Sequence, residues 1–232
     1  MMRAVAMWLV LITATVVLGA LAVVGNLLRP GHDLTFLLAR IWGRLTLAAA
    51  GIRVRFEAAA EGDLGQPCIF MSNHQSAVDI WALTQGLPDS TRFVAKRSLF
   101  RIPFLGWAMA AGGFVPIDRQ DRGRAIAGLS LAARRLGEGK SLIVFPEGTR
   151  SRDGKLGPFK KGPFHLAVTT GTRIVPVAIS GSFEALPPGS LRAHPGEVVV
   201  RLAPPIDPAP FAPRDLNGLM SVVRRSIEER LR

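Results

Sequence analysis

The chain has no tyrosine and a single cysteine, Cys68, among its 232 residues. One cysteine excludes an internal disulfide and a cysteine-held metal cluster. Cys68 sits in an apolar run, so it reads as a buried thiol rather than a nucleophile. The histidines are His32, His74, His165 and His194, and none lies within metal-ligand spacing of another. No structural or catalytic metal is expected. Aromatic residues make up only 7% of the chain, too few for the stacking surface of a typical nucleic-acid binder. Acidic residues are scarce as well: 17 Asp plus Glu stand against 29 Lys plus Arg, a net charge of +12. Such a balance suggests an anionic partner, whether phospholipid surface, phosphorylated metabolite or nucleic acid. A mean hydropathy of +0.27 and 48% hydrophobic residues favour the membrane, and no nucleic acid is expected. Two enzyme signatures are also missing. There is no G-x-S-x-G, hence no serine nucleophile elbow. Gly139-Lys140-Ser141 has the tail of a P-loop, but Arg134 stands at its leading glycine position and the segment runs into a strand rather than a helix.

What is present is organised around Ser72-Asn73-His74-Gln75-Ser76-Ala77-Val78-Asp79. An apolar run at 68–71 precedes it and reads as a short buried strand; residues 80–83 read as the opening of a helix. A polar cluster between a strand end and a helix start is where α/β proteins place their chemistry. Histidine suits proton transfer near neutral pH, and a carboxylate partner fixes its tautomer and stabilises the imidazolium. Side chains five apart on a helix diverge by about 140°. His74 is therefore expected in the turn and Asp79 in the first helical turn, reaching back. A plainer reading stands beside this one: Ser76 and Asp79 fit S-x-x-D, a helix-capping pattern.

Residues 4–28 form a stretch of 25 without a charge. As a helix it measures about 37 Å, long enough for a hydrocarbon core of about 30 Å. A signal peptide has an apolar region roughly half as long, so the length argues for an anchor. Arg29-Pro30-Gly31 breaks that helix. Residues 34–50 are apolar again but carry Arg40 and Arg44 on one face, as suits a headgroup boundary; an ordinary amphipathic helix packed on a soluble domain has the same pattern. Residues 1–50 read as a membrane-anchoring helical hairpin, and 51–232 as one α/β domain. Basic residues dominate after the first helix, which places the remainder on the cytoplasmic side of an inner or cytoplasmic membrane.

From residue 51 onward strands are expected at 52–56, 68–71, 93–95, 114–117, 141–145, 174–179 and 198–202. Helices are expected at 80–87, within 99–111, at 122–136, 164–170 and 215–231. Alternation of the two predicts one mostly parallel sheet with covered faces. Lys96, Arg119 and Arg150 each fall at or just past a strand's carboxyl end, near His74. A single such cation is ordinarily a solvated surface charge; three at one sheet edge are suited to clamp a phosphate. Glu147 either orients a base or binds the acceptor, or it only holds Arg150 in place.

These residues carry a family resemblance. Asn73, His74 and Asp79 form an N-H-x-x-x-x-D block. Gly113 to Arg119 is a glycine-led strand ending I-D-R, here with Pro116 inserted in its path. F-P-E-G-T-R-S stands complete from Phe145 to Ser151, V-P-V-x-I spans Val175 to Ile179, and Lys96, Leu99, Pro103 and Gly106 match K-x-x-L-x-x-x-P-x-x-G. In this order the blocks resemble the 1-acylglycerol-3-phosphate (lysophosphatidic acid) acyltransferases of the glycerolipid acyltransferase superfamily. The resemblance implies His74 as general base with Asp79 as its partner. It implies acceptor binding by Lys96, Arg119, Glu147, Gly148, Thr149 and Arg150. An acyl group would pass from acyl-CoA or acyl carrier protein to the sn-2 hydroxyl of lysophosphatidic acid, giving phosphatidic acid without a cofactor. Backbone amides near the helix start are candidates for the oxyanion. Two alternatives stand beside it: the same transfer to another lysolipid, such as lyso-ornithine lipid, or to glycerol-3-phosphate; and a non-catalytic, membrane-tethered binder of anionic lipid or nucleic acid.

Overall fold

A computed structural model of the chain describes residues 2–29, 33–57, 67–118, 121–211 and 215–231. The first helix, α1 (Met2–Leu28), is apolar on all sides, and α2 (Leu34–Ala50) returns along it. Asn26 Nδ2 donates to Thr35 Oγ1 at 2.7 Å near the hairpin tip, and Trp42 Nε1 donates to Thr15 Oγ1 at 2.9 Å further along. Gly51, in the left-handed region at φ 73°, ends α2 and turns the chain directly into the sheet.

Seven strands form one sheet in the order β1-β7-β6-β2-β5-β3-β4. They are β1 (Ile52–Glu57), β2 (Ile69–Ser72), β3 (Thr91–Lys96), β4 (Val115–Ile117), β5 (Ser141–Val144), β6 (Ile174–Ser180) and β7 (Gly196–Leu202). Every pairing is parallel except β6 with β7. The central strands β2 and β5 are buried on both faces, which explains their unbroken apolar sequences Ile69-Phe70-Met71 and Leu142-Ile143-Val144. Alternate residues feed opposite cores because a strand's side chains point to alternating faces. Phe70, Ile143, Val175 and Val177 join one core, while Ile69, Met71, Leu142 and Val144 join the other.

The first core is covered by α3 (Val78–Thr84) and by the hairpin: Met7, Phe36, Leu47 and Ala50 are buried in the same cluster as Phe70 and Trp81. The second is covered by α5 (Arg122–Gly137), α6 (Lys161–Thr170) and α8 (Leu216–Glu228). Helix α4 (Leu105–Ala111) packs against α1, and a short α7 (Ser182–Ala185), not anticipated from periodicity, follows β6. Among the described residues one helix, over Arg3–Leu28, is long and apolar enough to cross a membrane. Its outer face leaves Leu9, Ile12, Leu21 and Leu27 more than half exposed.

Candidate active site

The carboxyl ends of β2 and β5 lie side by side, since Phe70 pairs with Ile143 and Met71 with Val144. That register brings the segment after Ser72 and the segment after Val144 together. Past β2, Asn73 is fully buried and locked to β6: its Nδ2 donates to Ile179 O and its Oδ1 accepts from Ile179 N, both at 2.8 Å. His74 follows in the turn, and Asp79 is the second residue of α3. His74 Nδ1 lies 2.8 Å from Asp79 Oδ2. The same oxygen accepts from the N–H groups of Gln75 at 2.7 Å and Ser76 at 2.8 Å. Asp79 Oδ2 thus ties the turn before α3 to the imidazole; only this half of the S-x-x-D pattern forms, because Ser76 Oγ accepts from Val78 N–H rather than from Asp79 N–H. The His74 ring stacks on Phe145 at 3.9 Å between centroids and 16° between planes, so its orientation is fixed on two sides. Nε2 makes no hydrogen bond among the described residues and is the ring nitrogen available to the cavity that His74 lines.

After β5 the chain makes a β-turn, Phe145-Pro146-Glu147-Gly148, closed by Gly148 N–H to Phe145 O at 3.0 Å. Proline suits the second position of such a turn, and Gly148 leaves it at φ 77°, where a side chain would be strained. Glu147 points inward and is 5% exposed. One carboxylate oxygen accepts His74 N–H at 2.8 Å and the other accepts Gly157 N–H at 2.7 Å. Burial pushes its carboxyl above the ordinary range, and those two backbone donors pull back against the rise. Ser151 N–H donates to His74 O at 2.8 Å, so the two segments are stitched together on both sides of the imidazole.

A cavity of about 880 Å³ opens from this edge. His74, Lys96, Thr149 and Arg150 line it together, as the sequence led one to expect of them. The hairpin contributes a mostly apolar part of the cavity lining, including Leu18, Gly19 and Trp42. Three further cations on its wall, Arg97, Arg101 and Arg124, were not singled out from the sequence; the basic residues crowding the end of β3 were the available signal for the first two, while Arg124 comes from the first turn of α5. Arg119 lies outside the described residues. Glu147 and Gly148 do not line the cavity; they shape the turn that carries Thr149 and Arg150 into it. Four amides near the start of α3 are already engaged: His74 N–H is taken by Glu147, those of Gln75 and Ser76 by Asp79, and that of Val78 by Ser76 Oγ at 3.1 Å, whereas Ala77, between them, lines the cavity.

Fold and site together define an α/β protein whose carboxylate-oriented histidine lines a largely apolar cavity that several cations share. The Acyltransferase family model matches residues 51–180, and the chain belongs to that family. It is 44% identical over 124 residues to the chloroplastic 1-acyl-sn-glycerol-3-phosphate acyltransferase of Brassica napus, covering 53% of this chain and 36% of that protein. With the alpha form of 1-acyl-sn-glycerol-3-phosphate acyltransferase from Homo sapiens it shares 36% identity over 178 residues, covering 76% of this chain and 63% of that one. The chain thus spans less than two thirds of the length of these curated relatives. The crystal structure of the 1-acyl-sn-glycerophosphate (LPA) acyltransferase PlsC from Thermotoga maritima is similar throughout, with a TM-score of 0.82, 28% identity, and 98% and 94% of the two chains covered.

Proposed function

We propose that the protein transfers a fatty acyl group from an acyl thioester to the sn-2 hydroxyl of lysophosphatidic acid, forming phosphatidic acid. One observation carries the reading: a single cavity is lined by His74, by the Lys96 and Arg150 cations and by apolar residues of the hairpin. A lysophosphatidic acid offers a phosphate to the cations and an acyl chain to the apolar residues. His74 Nε2 accepts the acceptor's hydroxyl proton as its oxygen attacks the thioester carbonyl. Asp79 holds the imidazole through Nδ1 and balances its charge as it becomes protonated. Collapse of the tetrahedral species expels the thiolate, and the imidazolium returns the proton to it. No covalent enzyme intermediate forms. Cys68 offers no nucleophile, since it is buried in the core and its thiol is pushed up to about 11.

The names carried by the relatives support the acceptor and the chemistry. In this reading Lys96, Arg119 and Arg150 bind the acceptor phosphate. Residues 1–50 seat the catalytic edge at a cytoplasmic membrane surface, with the exposed face of α1 in lipid. Both substrates are amphiphiles, and a site at the bilayer boundary receives them without a passage through water. The donor is acyl-CoA or acyl carrier protein.

The test uses the purified full chain in lipid vesicles with a long-chain acyl-CoA. Acceptors are lysophosphatidic acid, a lysolipid with no phosphomonoester, and glycerol-3-phosphate. Labelled phosphatidic acid, formed from lysophosphatidic acid well ahead of the other two, is the expected product. Preference for either other acceptor would transfer the same chemistry to that substrate, and inertness with acyl-CoA and acyl carrier protein alike would sink the enzymatic reading.

A further inference from the structure

The segment 146–160 after β5 is a closed loop: Lys160 N–H donates to Pro146 O at 2.8 Å and draws its ends together. It carries Thr149 and Arg150 on the cavity wall and Ser151 against His74. Its far arm, 154–157, has almost no regular structure to hold it. Gln75 Nε2 donates to Gly154 O at 2.6 Å, and Gly157 N–H donates to Glu147. A side chain on Gly157 would meet Glu147 Oε2 at 2.9 Å, so this arm passes directly over the buried carboxylate.

Leu156 and Phe159 pack against the second core, with Phe159 stacked on Phe164 of α6, and a further polar fastening comes from the last helix, outside the residues matched to the family. Arg224 on α8 donates through one terminal nitrogen to Gly157 O at 2.7 Å and through the other to Leu156 O at 2.8 Å. Glu228, one turn along, holds its Nε at 2.8 Å. The guanidinium lies 5.5 Å from the ring centroid of Phe159, within the same loop. On the adjoining face of α8, Leu219, Val223 and Ile227 are fully buried in the sheet's second core. Arg224 therefore projects from a rigid mount, and a planar fork meeting two adjacent carbonyls fixes position as well as distance.

We propose that Arg224 is a positioning residue for the acceptor site, acting through Leu156 and Gly157 on Glu147 and hence on the loop that bears Thr149 and Arg150. The acceptor role of that loop rests on the reading given under Proposed function. His74 shares Glu147 through its backbone N–H, but its imidazole is set by Asp79 and by the Phe145 ring. Loss of the Arg224 fork is therefore expected to disturb acceptor binding more than the proton transfer.

The experiment compares the intact protein with Arg224→Met, which keeps length and contact with Phe159, with Arg224→Lys, which keeps the charge on a single donor nitrogen without the fork, and with Glu228→Gln. Two measurements are made: amide hydrogen exchange over 149–157, and KM for lysophosphatidic acid against kcat. A charged bidentate contact of this kind predicts, for Arg224→Met, exchange in the loop and KM each raised about tenfold, with kcat changed by less than about threefold. Arg224→Lys recovers part of both, and Glu228→Gln resembles the intact protein. A lower Tm with loop exchange and KM unchanged would show that Arg224 merely docks α8, and would overturn the proposal. A fall in kcat with unchanged KM would also contradict it. If no form, intact protein included, transfers an acyl group, the functional reading fails. Loop exchange then decides the role of Arg224 alone: acceleration supports it and no change overturns it.

Discussion

Glu147 has both carboxylate oxygens committed to backbone donors, and its role is set by that arrangement. Glutamine in its place presents an amide N–H₂ to one of them. We expect Glu147→Gln to leave a buried donor unpaired and cost about 1–3 kcal/mol at neutral pH, read from urea unfolding. The pH dependence has a definite sign. Because the carboxyl is raised, the folded protein holds this proton more tightly than the unfolded chain. The group's contribution to stability therefore falls as pH rises above the ordinary glutamate range. Glu147→Gln should flatten that slope, and an unchanged slope would show that Glu147 does not produce it. Cys68 gives an independent check on the direct-transfer route. With its thiol pushed up to about 11 and buried, it should resist iodoacetamide at pH 7 in the folded protein, and Cys68→Ala should retain activity. Loss of turnover on that substitution would reopen a covalent route. The His74 to Asp79 spacing was legible because turn and helix geometry together dictate where each side chain points. The partners of Glu147 were not, since the contacts to His74 and Gly157 depend on the pairing of β2 with β5 and on an irregular loop.

Among the elements, the hairpin is seated by charge as well as by apolar contact. Asp33, at the start of α2, accepts from Arg92 Nη2 and Lys140 Nζ, both at 2.6 Å. Arg92 is 3% exposed, so its guanidinium depends on this partner and on the carbonyls of Asp89 and Thr91. Partial burial pushes the Asp33 carboxyl upward, but the two cations outweigh it and hold it below the usual 3.8. A lowered carboxyl adds stability above its ordinary range and loses it as pH falls through the lowered value. Asp33→Asn should thus lower Tm at pH 7, with the difference shrinking as the medium becomes more acid than the usual aspartate range. An equal Tm deficit at both pH values would mean that the ion pairs are not its source. Most elements were legible from their apolar pattern, β2 and β5 as unbroken runs and α5 and α8 from helical periodicity above all. The four-residue α7 was not, being too short to show a period, and neither was the antiparallel turn of β7 onto β6, because strand direction leaves no mark on a buried apolar sequence.

For the whole molecule, the apolar N-terminal segment shares a core with the sheet. Phe36 of α2 is fully buried and stacks on Phe93 of β3, with 6.4 Å between ring centroids. Phe36→Ala should destabilise the whole chain by about 3–5 kcal/mol, in one unfolding transition rather than by release of the hairpin alone. Two transitions, with the sheet's midpoint unmoved, would show the hairpin to be an independent module. Hydropathy made 4–28 stand out as a possible anchor, but composition alone could not show that α2 buries Phe36, Leu47 and Ala50 against the sheet or that α1 walls the cavity. Those facts join the apolar segment to the chemistry.

The central claim is that His74 Nε2 takes the acceptor's proton within this cavity. The most direct measurement is phosphatidic acid formation from lysophosphatidic acid and a long-chain acyl-CoA by the purified full chain in vesicles, beside His74→Ala with its fold checked by circular dichroism. General-base help of this kind is typically worth about 10²–10⁴-fold, so the account predicts a folded variant with turnover reduced by at least two orders of magnitude. A folded His74→Ala variant that turns over within a few-fold of the intact protein would contradict it.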